Sequence, residues 1–196
     1  MSGRLIAPYA TWMALMMALP ASAGAYALRT AATAAVLLFF FALRWRTWTA
    51  SGRGVLIGTL VGLAVFALWI APETVFRGLL PTWLFPLAPA TDVSPYAPAT
   101  CGWALTLVRL VGSAFVISVA EELFFRRWLV DFAGFWWMVV LFAVEHGDRW
   151  AVGAATGVVY GLLARRFGLA SAVAAHATTN LVLGIWVIHR GAWQFW

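Results

Sequence analysis

The sequence predicts an all-α membrane protein, a polytopic bundle of about seven transmembrane helices. Of its 196 residues, 64% are hydrophobic and only 10% are charged. Soluble domains average about half apolar and about a quarter charged residues, so a soluble chain of this length could not hide so much apolar surface. Several apolar runs approach the ~20 residues that a helix needs to cross a bilayer. We expect a single membrane domain over 1–196.

The charges and the cysteine count narrow the function classes. The net charge of +6 comes entirely from arginine, because the chain has no lysine. In a membrane protein a cytoplasmic bias of arginine explains this charge, so we predict no nucleic-acid partner. The single Cys101 excludes an internal disulfide and offers no cysteine cluster for a metal.

The predicted helical segments follow one another closely, except for one long connection. The connection at 72–100 contains six prolines, which exclude a continuous helix there. The first segment ends in Pro20-Ala21-Ser22-Ala23, which resembles a signal-peptide cleavage site, but we expect a retained helix because further helices follow. The predicted helical segments are 5–23, 25–43, 54–71, 103–131, 132–146, 151–164 and 168–188.

The distribution of arginine orients the bundle. With the N-terminus inside, eight arginines lie at cytoplasmic ends and four lie outside, which favours this orientation. The eight are Arg4, Arg44, Arg46, Arg53, Arg126, Arg127, Arg165 and Arg166.

In the sixth segment Gly153, Gly157 and Gly161 recur every four residues, a pattern that predicts close helix packing.

The fourth segment carries Glu121 and Glu122 at the end of a long apolar run. A charge inside a bilayer costs several kcal/mol, so such groups are paired or used. Glu122 and Arg126 lie four residues apart on one helix face and can form an ion pair. Glu121 and Arg126 point about 140° apart in a regular helix, which leaves Glu121 unpaired and makes it the first candidate for chemistry.

Two later segments add polar groups in apolar surroundings. Phe142 precedes His146 by one turn, and His176 precedes Asn180 by one turn. Because polar groups in separate helices satisfy themselves by facing one another, we expect one buried polar pocket. Taken singly, each group also has a structural interpretation, as an ion pair, an interfacial histidine or a bridge between helices. Glu145, next to His146, could pair with Arg149 at the same four-residue spacing.

The chemistry open to this pocket is narrow. A carboxylate in apolar surroundings can act as a general base on water, and histidine and asparagine can hold that water or stabilise an oxyanion. These groups suffice for peptide-bond hydrolysis without a covalent intermediate. Glu121, His146 and His176 would equally serve as a zinc set, and the spacing does not decide between the two.

Three motifs in this order resemble those of a known family. They are Glu121-Glu122-x-x-x-Arg126, Phe142-x-x-x-His146 and His176-x-x-x-Asn180. The pattern is similar to the CAAX-protease and bacteriocin-processing intramembrane endopeptidases, which include the eukaryotic prenyl-protein endoprotease of the Rce1 type. The resemblance covers a core at 101–190, whereas 1–100 contribute generic helices and a loop.

The resemblance implies both the roles and the partners. Glu121 would activate water, His146 would help hold it, and His176 with Asn180 would stabilise the oxyanion. Glu122, Arg126 and Phe142 would support the site, with no cofactor needed and zinc as the alternative. The substrate would be a protein or peptide with a C-terminal membrane-associated segment. The setting would be a bacterial inner membrane, and the protein would be multi-pass.

The tail at 183–196 also resembles a bacterial subgroup found with exosortase-type sorting systems, for which no prenyl group is needed. Two other function classes stay open. One is a non-catalytic bacteriocin-immunity or interaction protein of the same fold, and the other is a small proton-coupled transporter. A transporter should show inverted repeats, which the sequence lacks. The unpaired Glu121 favours the enzyme over the immunity factor.

Overall fold

The computed structural model describes residues 2–44, 51–85 and 94–196, without the side chains of 42–44. These residues form helices and turns and include no strand. Arg46, Pro86 and Pro89, which entered the predictions above, lie outside the described residues. The helices are α1 Gly3–Ala18, α2 Ala23–Arg44, α3 Gly52–Thr74, α4 Pro98–Ala133, α5 Phe135–Glu145, α6 Trp150–Phe167 and α7 Leu169–Arg190.

The predicted all-α membrane bundle is confirmed. In the described part of the chain, four helices are long and apolar enough to cross a membrane by length and composition, namely α2, α3, α4 and α7. Helix α5 is a shorter apolar helix of 11 residues. The predicted segment bounds agree with the observed helices to within a few residues, and α3 continues past Pro72 to Thr74.

Two helix pairs are joined by a single glycine. Gly134 separates α4 from α5 with φ 91°, and Gly168 separates α6 from α7 with φ 87°. A side chain would strain the backbone at such positive φ angles, whereas glycine adopts them readily. These one-residue links hold the motif-bearing helices close to one another.

Helix α4 is continuous but irregular. Gly102 interrupts its first turn with φ 76°, so the regular part begins near Trp103. Farther along, Gly112–Ile117 and Leu123–Leu129 are π-helical, and they flank the α-helical turn Ser118–Glu122 that carries both glutamates. Such π segments often occur at functional sites. The predicted regular helix is therefore wrong in detail on both sides of Glu121.

The glycine stripe of α6 packs against α5 as the spacing predicts. A Cβ at Gly157 would lie 3.3 Å from Cδ1 of Phe142, and one at Gly153 would lie 3.1 Å from Cβ of His146. The absent side chains therefore let α6 approach the second motif closely.

A second glycine stripe, on α3, brings that helix against α7. A Cβ at Gly58 would overlap the backbone of Ser171, and one at Gly62 would overlap the carbonyl oxygen of Ala175. Thr179 Oγ1 donates to the Gly62 carbonyl oxygen at 2.8 Å. This contact fixes the part of α7 that carries the third motif.

Candidate functional site

Glu122, Arg126 and His176 form the buried centre of the site. The carboxylate of Glu122 lies 3.1 Å from Arg126 Nη1, and the two side chains are 0% and 1% exposed. The same oxygen, Oε1, lies 2.9 Å from His176 Nδ1 on α7. The predicted ion pair on one face of α4 is thus present, and it also reaches the third motif.

Glu121 points to the other nitrogen of the same histidine. Its Oε2 lies 3.8 Å from His176 Nε2, which is beyond a direct hydrogen bond. That oxygen is buried and has no hydrogen-bond partner. Among the residues described, the ion pairs within 4 Å bring no arginine to Glu121. The expected difference between a paired Glu122 and an unpaired Glu121 therefore holds in the structure.

The contact with Glu122 orients His176. Because a carboxylate accepts, Nδ1 of His176 donates its hydrogen to Glu122, and Nε2 is the atom left facing Glu121. The His176 ring also lies 5.2 Å from the Tyr160 ring between centroids, with an angle of 31° between the ring planes. His176 is only 5% exposed, so it faces the bundle interior rather than lipid.

His146 joins the site through Phe142. Its Nδ1 lies 2.6 Å from the Phe142 carbonyl oxygen, so Nδ1 carries the hydrogen and Nε2 stays basic. The Phe142 ring lies 4.5 Å from the His146 ring and 6.2 Å from the His176 ring. Arg126 places its guanidinium carbon 3.9 Å from the same ring, a cation–π distance. Phe142 therefore sits between both histidines and Arg126.

Asn180 lies on the same side of α7 but is engaged with α4. Its Nδ2 donates to the Ser113 carbonyl oxygen at 2.9 Å and to Ser118 Oγ at 3.2 Å. Ser118 Oγ in turn donates to the Ser113 carbonyl oxygen at 3.0 Å. Both amide hydrogens are used at the junction between the π segment and the turn that holds Glu121.

Several residues of the site were not anticipated from the sequence. The Tyr160 hydroxyl donates to Thr179 Oγ1 at 2.7 Å, completing the wall behind His176. Tyr9 of α1 lies beside Glu145, which in turn lies near Glu121. Spacing in the sequence relates residues within one helix, so it could not connect Tyr9 to the motifs. The neighbours of Tyr9 depend on how α1 packs against α4.

The suggested Glu145–Arg149 pair is wrong. Arg149 instead lies 2.6 Å from Glu73 at the end of α3, and its Nη2 donates to the Gln194 carbonyl oxygen at 3.2 Å. Burial lowers the pKa of Arg149, and the nearby Glu73 carboxylate opposes that change. The α5–α6 turn is thereby tied to α3 and to the C-terminal segment.

The geometry of the site also bears on the zinc alternative. No group of three or more His, Cys, Asp or Glu side chains lies close enough to hold a metal ion within 2–44, 51–85 and 94–196. Of the three suggested ligands, Glu121 and His176 lie near each other, whereas His146 bonds to the Phe142 backbone. Whether the protein uses a metal stays a prediction.

The fold and this buried cluster define a class, that of helical membrane proteins with a glutamate–histidine–arginine site inside the bundle. Residues 102–182 match the family model described as Type II CAAX prenyl endopeptidase Rce1-like. The match confirms, for residues 102–182, the resemblance to this family that the three motifs predicted, and it indicates a protease-type enzyme at the family level. No curated protein and no solved structure matches the chain. The exosortase-associated subgroup stays a prediction, since the match ends before the tail.

Proposed function

We propose that the protein is an intramembrane endopeptidase that hydrolyses a peptide bond near the C-terminus of a membrane-associated substrate. The observation that carries this proposal is the buried series of contacts from Arg126 through Glu122 and His176 to Glu121. It pairs one oxygen of Glu122 with both Arg126 and His176, and among the described residues it leaves Glu121 without an arginine within 4 Å. A buried carboxylate in that condition is suited to take a proton from water.

The first step of the proposed reaction is activation of water by Glu121. The carboxylate removes a proton while the water oxygen forms a bond to the substrate carbonyl carbon. His146, through its free Nε2, accepts a hydrogen bond from the same water and orients it. The product of this step is a tetrahedral oxyanion and a protonated Glu121.

Stabilisation of the oxyanion falls to His176 and Asn180. Because Nδ1 of His176 already donates to Glu122, Nε2 can donate to the oxyanion only when the ring is protonated, and that hydrogen would then face the region beside Glu121 where the carbonyl oxygen would lie. Asn180 can contribute a donor only by giving up a present bond, and the 3.2 Å bond to Ser118 is the longer of its two. We therefore propose that substrate binding releases Asn180 from Ser118.

Breakdown of the intermediate completes the reaction. The C–N bond breaks, and protonated Glu121 returns its proton to the departing amine nitrogen. One product ends in a new carboxylic acid, which passes its proton to the amine of the other product to give a carboxylate and an ammonium group, and Glu121 regains its charge. Glu122 and Arg126 take no part in bond making, since their role is to hold His176. The scheme needs no metal and no prenyl group on the substrate.

The proposal is tested by comparing protein C-termini in membranes of cells that express the wild type or the Glu121→Gln variant. We expect shortened C-termini on a set of membrane-associated proteins with the wild type alone. Glu73→Gln is the matched control, because Glu73 is a glutamate with a side chain only 8% exposed whose partner is Arg149 rather than a motif residue.

Identical C-termini in the wild type and Glu121→Gln cells, at equal protein levels, would overturn the peptidase proposal. That result would favour the non-catalytic immunity or interaction protein, which the family match does not favour. Loss of processing in Glu73→Gln at normal abundance would show that the readout is not specific for the site.

A further inference from the structure

A cavity of about 850 Å³ opens at the end of the bundle that the arginine distribution places in the cytoplasm. It lies between the first turns of α1, the far part of α2, the end of α4, the end of α6 and the start of α7. Its apolar wall includes Leu37, Phe40, Trp128 and Phe132, and four arginines also line it.

The cavity wall carries more positive than negative charge. Arg127 pairs with Asp131 at 3.0 Å, and Arg126 pairs with Glu122 from within the bundle. Arg4 and Arg165 line the same cavity, and in the described part of the chain neither has a carboxylate within 4 Å. Arg165 places its guanidinium carbon 4.9 Å from the centroid of the Phe135 ring. The cavity therefore holds two arginines available to an anion.

The cavity also reaches the proposed active site. Arg126 lines it and contacts Glu122, which bonds to His176 beside Glu121. Glu121 itself does not line the cavity. Because Arg126 follows Glu121 by five residues, the part of the cavity wall that Arg126 forms lies about 7.5 Å along the helix axis from the glutamate. A short extended peptide spans that distance.

We infer that this cavity binds the free C-terminal carboxylate of the substrate, with the apolar side chains of its tail against Phe40, Trp128 and Phe132. The inference rests on the proposed function. Arginine is suited to this task because its guanidinium matches a carboxylate in a two-point contact. By binding the C-terminal carboxylate, Arg4 and Arg165 would fix how many residues separate the cleaved bond from the end of the substrate. Cleavage would therefore be confined to the C-terminal region.

Binding can be measured separately from cleavage. The Glu121→Gln protein is placed in nanodiscs of phosphatidylcholine, and the probe is a dansylated eight-residue peptide of leucine and alanine. The peptide is prepared with a free C-terminal carboxylate and as the C-terminal amide. Energy transfer from tryptophan to the dansyl group reports binding, and Trp128 lies on the cavity wall. We expect the acid to bind roughly tenfold more tightly than the amide.

Arginine variants test which residues cause the tighter binding of the acid than of the amide. Arg4→Ala and Arg165→Ala should each reduce the acid-to-amide ratio, and Arg165→Lys should retain part of it because the charge is kept. Arg166→Ala is the matched control, since Arg166 is an exposed neighbour that does not line the cavity. Circular dichroism and gel filtration verify that each variant is folded.

Equal binding of acid and amide would overturn the inference, as would a ratio unchanged in both Arg4→Ala and Arg165→Ala. A second arm adds phosphatidylglycerol to the nanodiscs. If the lipid displaces the peptide and the two alanine variants lose lipid association alone, the cavity is a phospholipid headgroup site instead. None of these outcomes depends on catalysis, so failure here is distinct from unchanged C-termini in the cell experiment.

Discussion

Glu122→Gln should destabilise the fold far more than Glu121→Gln, although the two residues are adjacent. Glu122 is fully buried and contacts Arg126 at 3.1 Å and His176 at 2.9 Å through one oxygen. A glutamine amide could still accept a hydrogen bond from His176. It would leave the guanidinium of Arg126 without its paired carboxylate inside the bundle, where the Phe142 ring at 3.9 Å and the more distant Phe125 and Tyr160 rings remain against it.

The expected magnitude follows from this burial. Removing one partner of a buried ion pair costs about 3–5 kcal/mol, because the remaining charge stays buried without compensation. Glu121 has no arginine contact to lose, so its substitution should cost about 1 kcal/mol or less, as for most changes that break no network. Asp131→Asn removes an equivalent pair with Arg127 whose side chains are 63% and 60% exposed. It should cost about 0–1 kcal/mol.

The assay is unfolding of the purified protein by sodium dodecyl sulfate in mixed micelles, which gives the free energy of unfolding for each variant. Membrane abundance and substrate processing are measured in the same strains. Glu121→Gln should be abundant and inactive, and Glu122→Gln should be depleted. Asp131→Asn should match the wild type in all three measurements and serves as the control for the pair chemistry.

Equal losses of unfolding free energy in Glu121→Gln and Glu122→Gln would refute the reasoning. In that case Glu121 would be a structural residue as well, and its lack of an arginine partner would carry no functional meaning. A stable Glu122→Gln would show that the Arg126 guanidinium is satisfied without the carboxylate.

Two further predictions concern the metal and the helix packing. Elemental analysis of the purified protein should find no stoichiometric zinc, and activity should survive chelation. One zinc per chain, with activity lost to chelator and restored by metal, would instead make Glu121, His146 and His176 ligands. Gly58→Ala should destabilise the protein by about 1–3 kcal/mol, because its Cβ would overlap the backbone of α7. Gly24→Ala, with open space at its Cβ, should be neutral or stabilising in the same assay.

The sequence predicted the helices and the main features of the site because both have local signals. The lengths of the apolar runs predicted the helical segments, and the i, i+4 spacing predicted the ion pair between Glu122 and Arg126. The stripe at Gly153 and Gly157 was read from spacing and packs on the second motif as expected. The equivalent stripe on α3, through Gly58, has the same four-residue signal and was overlooked.

The contacts between helices could not be predicted in the same way. The bond from His176 to Glu122 joins residues 54 positions apart, and the pair of Arg149 with Glu73 joins α3 to the α5–α6 turn. Spacing along one helix indicates which face a residue occupies, but the neighbouring helix is chosen by packing of the whole bundle. The hydrogen bond from Asn180 to the Ser113 carbonyl oxygen could not be predicted for the same reason.

The two π-helical segments of α4 have a consequence for experiments that infer helix orientation from periodicity. A π turn contains about one residue more than an α turn, so the face that points inward shifts at each segment. Accessibility measured along α4 with single cysteines should therefore fall into three phases, with breaks near Gly112 and Leu123. A single helical wheel drawn through the whole helix would average these phases and place inward-facing positions on the lipid side.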